Sequence, residues 1–251
     1  MAEDIGSKEI QAAEAPVKET SPVVLTERDI AVFHIAHEQR YLCYNQISGG
    51  FWKERSEDAK ACWHRVEKLV NAGYLTKEYS GKMRMDVFFA SEKAVEVLKK
   101  KSLDSGLPVM KPSRDFDRNI VHDLHVTNLR ILFREMGLIQ WKSERILWER
   151  DHLYHKPDGV LTIRGKKIAI EFENGITKGI KRYQALFEYY DDHEGYRLLF
   201  LIIRGDTREW LMGLDYDARK TWFVTYKDLV KQKEKALFEN KRGAFELSRL
   251  L

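Results

Sequence analysis

Asp158, Glu171 and Glu173 are the side chains whose types and spacing offer the clearest chemistry in this 251-residue chain. They lie in the stretch HKPDGVLTIRGKKIAIEFENGITKGIKRY, residues 155–183. Side chains alternate along a strand, so Glu171 and Glu173 share one face, about 7 Å apart at Cα. Ile168, Ile170 and Phe172 make the rest of that strand apolar. A turn at Arg164-Gly165 pairs it with Asp158–Ile163, and the resulting hairpin brings Asp158 to Glu171 while Glu173 adds a further oxygen donor. A buried carboxylate is costly unless it is paired or holds a metal. Two readings follow. Either the strand is a solvated edge, with ion pairs to Lys166, Lys167, Lys178 or Lys181 worth roughly 0–1 kcal/mol each, or a cation sits against that face. Hard divalent cations, magnesium or manganese, take oxygen ligands, commonly one or two carboxylates with water. Such an ion lowers the pKa of bound water and stabilises charge on a phosphate in transit. Asp158 and Glu171 are the candidate metal ligands.

The elements that must position these residues are readable from periodicity. A long helix is expected from Phe116 to about Met136, carrying Ile120, Leu124, Leu129, Ile131, Leu132 and Phe133 and stopping at Gly137. Strand-like runs follow at SERILWER, Asp158–Ile163 and Lys167–Glu173. A helix from about 177 to 190, the apolar run RLLFLII, the strand TWFVTY and a charged C-terminal helix complete the order. This describes an α/β sandwich with a mixed sheet and one parallel crossover through the 177–190 helix. Trp141, Trp148, Trp210 and Trp222 read as core or interface residues, and His122 and His125 as ordinary helix-face histidines.

The first half has a different pattern. Thr26 caps LTERDIAVFHIAHEQR, CYNQISGGFW offers a second helix, and Ser56 caps a third, EDAKACWHRVEKLVNAG, with Ala59, Cys62, Trp63, Val66, Leu69 and Val70 as its apolar stripe. YLTKEYSGKMRMDVFFAS reads as a hairpin around Ser80-Gly81, and EKAVEVLKKK as a closing helix. Three helices, a hairpin and a helix form the order of a winged helix-turn-helix, whose third helix enters the DNA major groove. The candidate DNA-binding residues are Lys60, His64, Arg65 and Lys68 on that helix and Lys82 and Arg84 at the hairpin tip. The alternative is a solvated helix face, since Glu57, Asp58 and Glu67 lie on the same helix.

The expected organisation is therefore α+β in two domains: a disordered tail at 1–25, a winged helix at 26–101, a Pro/Gly-containing linker at 102–115, and the sandwich at 116–251. The tail holds two lysines against five acids, so the net charge of +4 is concentrated beyond it. A basic body is compatible with double-stranded DNA as partner. Two cysteines without metal-ligand spacing suggest a reducing cytoplasm. The start MAEDIGSKEI has neither the basic nor the apolar region of a secretory signal, and the longest apolar run, Leu198–Ile203, is too short for a membrane span.

Pro157-Asp158, twelve intervening residues and then EFE resemble the PD-(D/E)XK nuclease superfamily. That resemblance implies Asp158 and Glu171 as metal ligands and a lysine two positions later; here Glu173 stands in that place. Some members carry the lysine on the following helix, which makes Lys181 or Lys178 the candidate. His122 or Asp123 would fill the acidic or polar role on the first helix. The winged helix followed by PDGVL and IAIEFENGITKGIKRYQALFEYY is also similar to the replication-relaxation family, which includes plasmid-mobilisation MobC-type proteins. Glu171, Glu173, Gly175, Thr177, Lys181 and Tyr183 occupy the matching places. The resemblance implies a DNA-binding protein of a plasmid or mobile element, working with other replication or transfer proteins and compatible with a homodimer. Metal-dependent cleavage through Asp158, Glu171, Glu173 and Lys181 is one expectation. The other is a non-catalytic regulator or adaptor with a degenerate nuclease domain.

Overall fold

The computed structural model describes residues 23–52, 56–113, 116–150, 155–175, 179–205 and 207–251. The chain is mixed α+β with two sheets. Most of the tail expected at 1–25 and two residues of the linker, as well as Thr177 and Lys178, lie outside the described residues.

Helix α1 (Glu27–Gln39) starts at a reciprocal cap: Asp29 N–H donates to Thr26 Oγ1, and Thr26 N–H donates to the Asp29 carboxylate at 2.7 Å. Strand β1 (Leu42–Cys43), α2 (Tyr44–Phe51), α3 (Ser56–Asn71), β2 (Leu75–Ser80), β3 (Met85–Ala90) and α4 (Glu92–Lys100) follow. β2 and β3 form the expected hairpin, and β1 extends it to a sheet of order β1-β3-β2. The apolar stripes of these helices meet in one core: Ile30, Phe33, Ile47, Cys62, Val66, Leu69, Phe88 and Leu98, joined by Ile131 from further along the chain. Both cysteines are free and buried.

Helix α5 (Ile120–Glu135) begins after a turn at 116–119 rather than at Phe116 itself. Then come β4 (Trp141–Ser143), α6 (Glu144–Arg150), β5 (Gly159–Ile163), β6 (Lys166–Glu173), α7 (Ile180–Asp192), β7 (Leu198–Ile203), α8 (Arg208–Met212), β8 (Thr221–Thr225), α9 (Tyr226–Gln232), β9 (Leu237–Asn240) and β10 (Gly243–Glu246). The second sheet has seven strands in the order β10-β9-β8-β7-β6-β5-β4. One face carries the cluster of Leu129, Phe133, Phe172, Ile202 and Leu229, which brings α5 and α9 to it. The other carries Tyr183, Phe187, Tyr190, Leu201 and Leu211, which brings α7 and α8.

Three features depart from the sequence reading. SERILWER is not a strand: after Ser143 it is helical, with the Ser143 hydroxyl accepting from Ile146 N–H at 3.5 Å. Arg145, Ile146 and Leu147 are buried consecutively, whereas a half-buried strand would alternate. The charged C-terminal segment is only briefly helical. It then forms the β9–β10 hairpin, because Phe238 and Phe245 sit directly opposite each other and stack with Phe200 at the sheet end. Finally, two parallel pairs exist, β6–β7 and β7–β8, the second connected through α8. Among the described residues no helix is long and apolar enough to cross a membrane.

Candidate functional site

Strand β6 lies inside the seven-stranded sheet, between β5 and β7. Its two acids, Glu171 and Glu173, are only 6% and 4% exposed. The solvated-edge reading is thereby overturned: both neighbouring strands are occupied, and helix α7 covers the face on which these carboxylates project. The buried tyrosines of α7 meet them there. Tyr190 Oη donates to Glu171 Oε1 at 2.6 Å, and Tyr183 Oη donates to Glu173 Oε2 at 3.1 Å. Tyr183, Phe187 and Tyr190 recur at i, i+4 and i+7, so one helical stripe supplies both contacts.

Asp158 stands immediately before β5, where the Gly159–Ile170 pairing places it next to Glu171. Its Oδ2 accepts from Phe172 N–H at 2.7 Å and lies 3.2 Å from His122 Nε2 on α5. These contacts of Asp158 fall on Oδ2, and those of Glu171 fall on Oε1. The cationic neighbour of Glu171 is a histidine: His155 Nε2 lies 2.6 Å from Glu171 Oε1.

The electrostatics follow from this crowding. Burial, reinforced by the negative charge of Asp158, pushes the Glu171 carboxyl up, against the pull of His155 and Tyr190. Burial would lower His155, but its hydrogen bond to Glu171 and that residue's charge outweigh it, so His155 is raised. His122 is also desolvated, yet the charge of Asp158 and hydrogen bonds to Asp123 and Asp158 lift it to about 10. Each carboxylate of the pair therefore faces an imidazole that favours its protonated form.

The structure brings Asp158 and Glu171 together, with Glu173 one pleat further along. It does not bring Lys181 to them. Lys181 is exposed in the first turn of α7, two residues from Tyr183 and so on the far side of the helix from the sheet. Among the described residues, Arg182 is a cation whose charge reaches the site, acting on both His155 and Tyr183. Sequence reading missed His155, Tyr190 and Arg182 as site neighbours. The aromatic stripe of α7 signals the second; nothing local signals the other two.

On α3, Lys60, His64 and Lys68 are exposed at four-residue spacing and form one face. Arg65 is turned inward instead. Its guanidinium donates to both oxygens of fully buried Asp29, through Nε at 3.0 Å and Nη2 at 2.5 Å, and to the Val24 carbonyl. That gives it a role in holding α3 to α1. Lys82 is exposed, but its Nζ donates to the Arg118 carbonyl at 3.1 Å, which docks the hairpin tip on the segment before α5. Arg84 is exposed at the tip with φ 53°.

A divalent cation is compatible with this donor set. Asp158, just before β5, and Glu171 of β6 are side by side, and the charge of Asp158 destabilises the ionised form of Glu171. Among the described residues no group of three or more His, Cys, Asp or Glu side chains forms a ready-made metal cage. The fit is thus to an ion that keeps much of its water, as magnesium does. Comparison with known protein families, curated proteins and solved structures yields no match.

Proposed function

We propose that this chain is a cytoplasmic double-stranded-DNA-binding protein of the replication-relaxation type, from a plasmid or mobile element. Its α1–α4 unit acts as a winged helix, and its seven-stranded unit as a PD-(D/E)XK-like metal-dependent nuclease domain. The observation that carries the reading is the placement of Asp158, just before β5, beside buried Glu171 of β6, close enough that the charge of Asp158 acts on the Glu171 carboxyl. These two residues would hold magnesium or manganese. When bound, the ion supplies Lewis acidity to a phosphodiester. Tyr190 and His155 fix the orientation of Glu171, and Phe172 N–H and His122 fix that of Asp158. Glu173, held by Tyr183, lends further negative charge to the face. The exposed Lys60, His64 and Lys68 face of α3 neutralises backbone phosphates.

A specific observation favours a second reading, a binding-only protein with a degenerate nuclease domain. Glu173 occupies the place of the superfamily lysine, and Lys181 points away from the sheet. One experiment separates the two: incubation of purified protein with supercoiled plasmid and magnesium or manganese, against EDTA, alongside a mobility-shift titration. The nuclease reading expects nicked or linear product that Asp158→Asn abolishes. Salt-sensitive DNA binding without product selects the second reading, and absence of DNA binding removes both. In the mobility shift, Lys60→Ala with Lys68→Ala should weaken binding well beyond any loss of folding.

A further inference from the structure

The carboxylate site is linked to the first half of the chain by a continuous run of polar contacts. Helix α1 ends at Arg40, a non-glycine residue held at φ 87°. Its guanidinium forks between two elements, with Nη1 3.0 Å from Asp123 Oδ2 on α5 and Nη2 3.2 Å from Glu144 Oε2 on α6. The next residue, Tyr41, donates its hydroxyl to the same Asp123 oxygen at 2.9 Å. The other oxygen of Asp123 faces His122 Nδ1 at 3.5 Å, and His122 Nε2 faces Asp158 at 3.2 Å. Both ring nitrogens of His122 thus meet carboxylates, which fixes the ring about both ends. A cavity of about 20 Å³, room for a water-sized occupant, is walled by Arg40, His122, Asp123, Glu144, Arg145 and Asp158.

We infer that Arg40 and Tyr41 are positioning residues for the Asp158–Glu171 site, acting through Asp123 and His122. The reason is geometric. A carboxylate whose ligating oxygen must point at an ion is only as well placed as the group gripping its other oxygen. His122 grips Asp158 Oδ2, Asp123 orients His122, and Arg40 with Tyr41 anchors Asp123. At its opposite end α1 carries Asp29, gripped by Arg65 of α3. The α1 helix therefore spans from the exposed basic helix to the carboxylates, and a shift of α1 against α5 changes the aim of Asp158. This inference rests on the metal reading of Asp158 and Glu171 for its purpose, but the linkage itself is testable without it.

The test uses the full chain with ¹⁵N-labelled histidine and the variants Arg40→Gln, Arg40→Lys and Tyr41→Phe, with Arg28→Gln on the same helix as control. Tyr41→Phe removes a single hydroxyl and guards against simple misfolding of Arg40→Gln. Both Arg40→Gln and Tyr41→Phe should move the His122 ring nitrogen resonances while leaving those of exposed His64 in place; Arg28→Gln should move neither. Unchanged His122 signals in folded Arg40→Gln and Tyr41→Phe overturn the linkage. Manganese affinity, measured by calorimetry, should fall about tenfold or more in Arg40→Gln, in the range for residues behind a metal ligand, and recover in part in Arg40→Lys. Wild-type affinity retained in Arg40→Gln overturns the positioning role. If the wild type binds no manganese, the metal reading falls and the histidine resonances alone decide the linkage.

Discussion

Glu38 shows how a buried carboxylate in this protein is kept charged without any metal. Burial alone would raise it, but the hydrogen bond from His34 and the charge of Arg130 more than offset that, and it is held at about 2 against an ordinary 4.5. A carboxyl depressed in the folded state contributes stability above its unfolded pKa and loses it as pH falls through the folded value. The window here runs from about 4.5 down to about 2, and the contribution is on the order of 3 kcal/mol. Glu38→Gln should therefore destabilise the protein at pH 6, by about 3–5 kcal/mol because Arg130 is left buried and uncompensated. The gap to wild type should narrow as pH drops below about 4, as urea titrations at stepped pH would show. Among the described residues, Glu171 differs in having no arginine among its hydrogen-bond partners. Asp158 and Glu171 were legible in the sequence because hairpin arithmetic across Arg164-Gly165 places them side by side. His122 was offered only through the family resemblance, and His155 and Tyr190 were not legible in these roles, since each arrives through space from an element whose packing no local pattern specifies. Arg65 was misleading for the same reason: helical spacing places it near an exposed face, but a buried Asp29 draws its long side chain inward.

At the level of elements, β5 and β6 hold the site because they are pinned on both sides, and the tightest pin is a glycine. A Cβ added at Gly159 would lie 2.0 Å from Trp141 Cζ2 on neighbouring β4, with two more indole atoms within 2.7 Å. Trp141 is itself only 8% exposed and packs against Phe133, so it has little room to move. Gly159→Ala should cost about 1–3 kcal/mol by overpacking, and Trp141→Leu in the same chain should restore part of it. Additive losses in urea denaturation would contradict the contact. Because Gly159 directly follows Asp158, the single variant should also weaken manganese binding. Strongly periodic segments were readable: α1, α3, α4, the β2–β3 hairpin and the β5–β6 pair all fall where their patterns place them. Segment 143–150 was misread because a short apolar run flanked by charges suits strand and helix alike. The β9–β10 hairpin was misread because its lysine-rich approach favours helix, while its outcome depends on Phe238 and Phe245 finding Phe200 far away in the chain.

At the scale of the molecule, α5 belongs to two cores. Leu129 and Phe133 pack on the seven-stranded sheet, while Ile131 enters the core of the first half against Gly50. Gln46 Nε2 adds polar ties by donating to the Leu124 carbonyl at 2.7 Å and to Asn128 Oδ1 at 2.9 Å. These contacts predict that the first half and α5 lose structure together. The two buried cysteines make that measurable. Cys62 sits in the helical core, and Cys43 in the separate cluster where β3 meets Ile120 and Leu124 of α5. Burial raises both thiols, so neither presents a ready thiolate while the protein is folded. Each can be alkylated only during an opening, which turns the pair into internal clocks, one for the core and one for the seam. Mass spectrometry of chain exposed to a thiol reagent in native buffer should show the two sites modified at the same slow rate. Earlier labelling of Cys43 would mean that the seam parts while the core stays shut, and that the two halves separate as bodies before either unfolds.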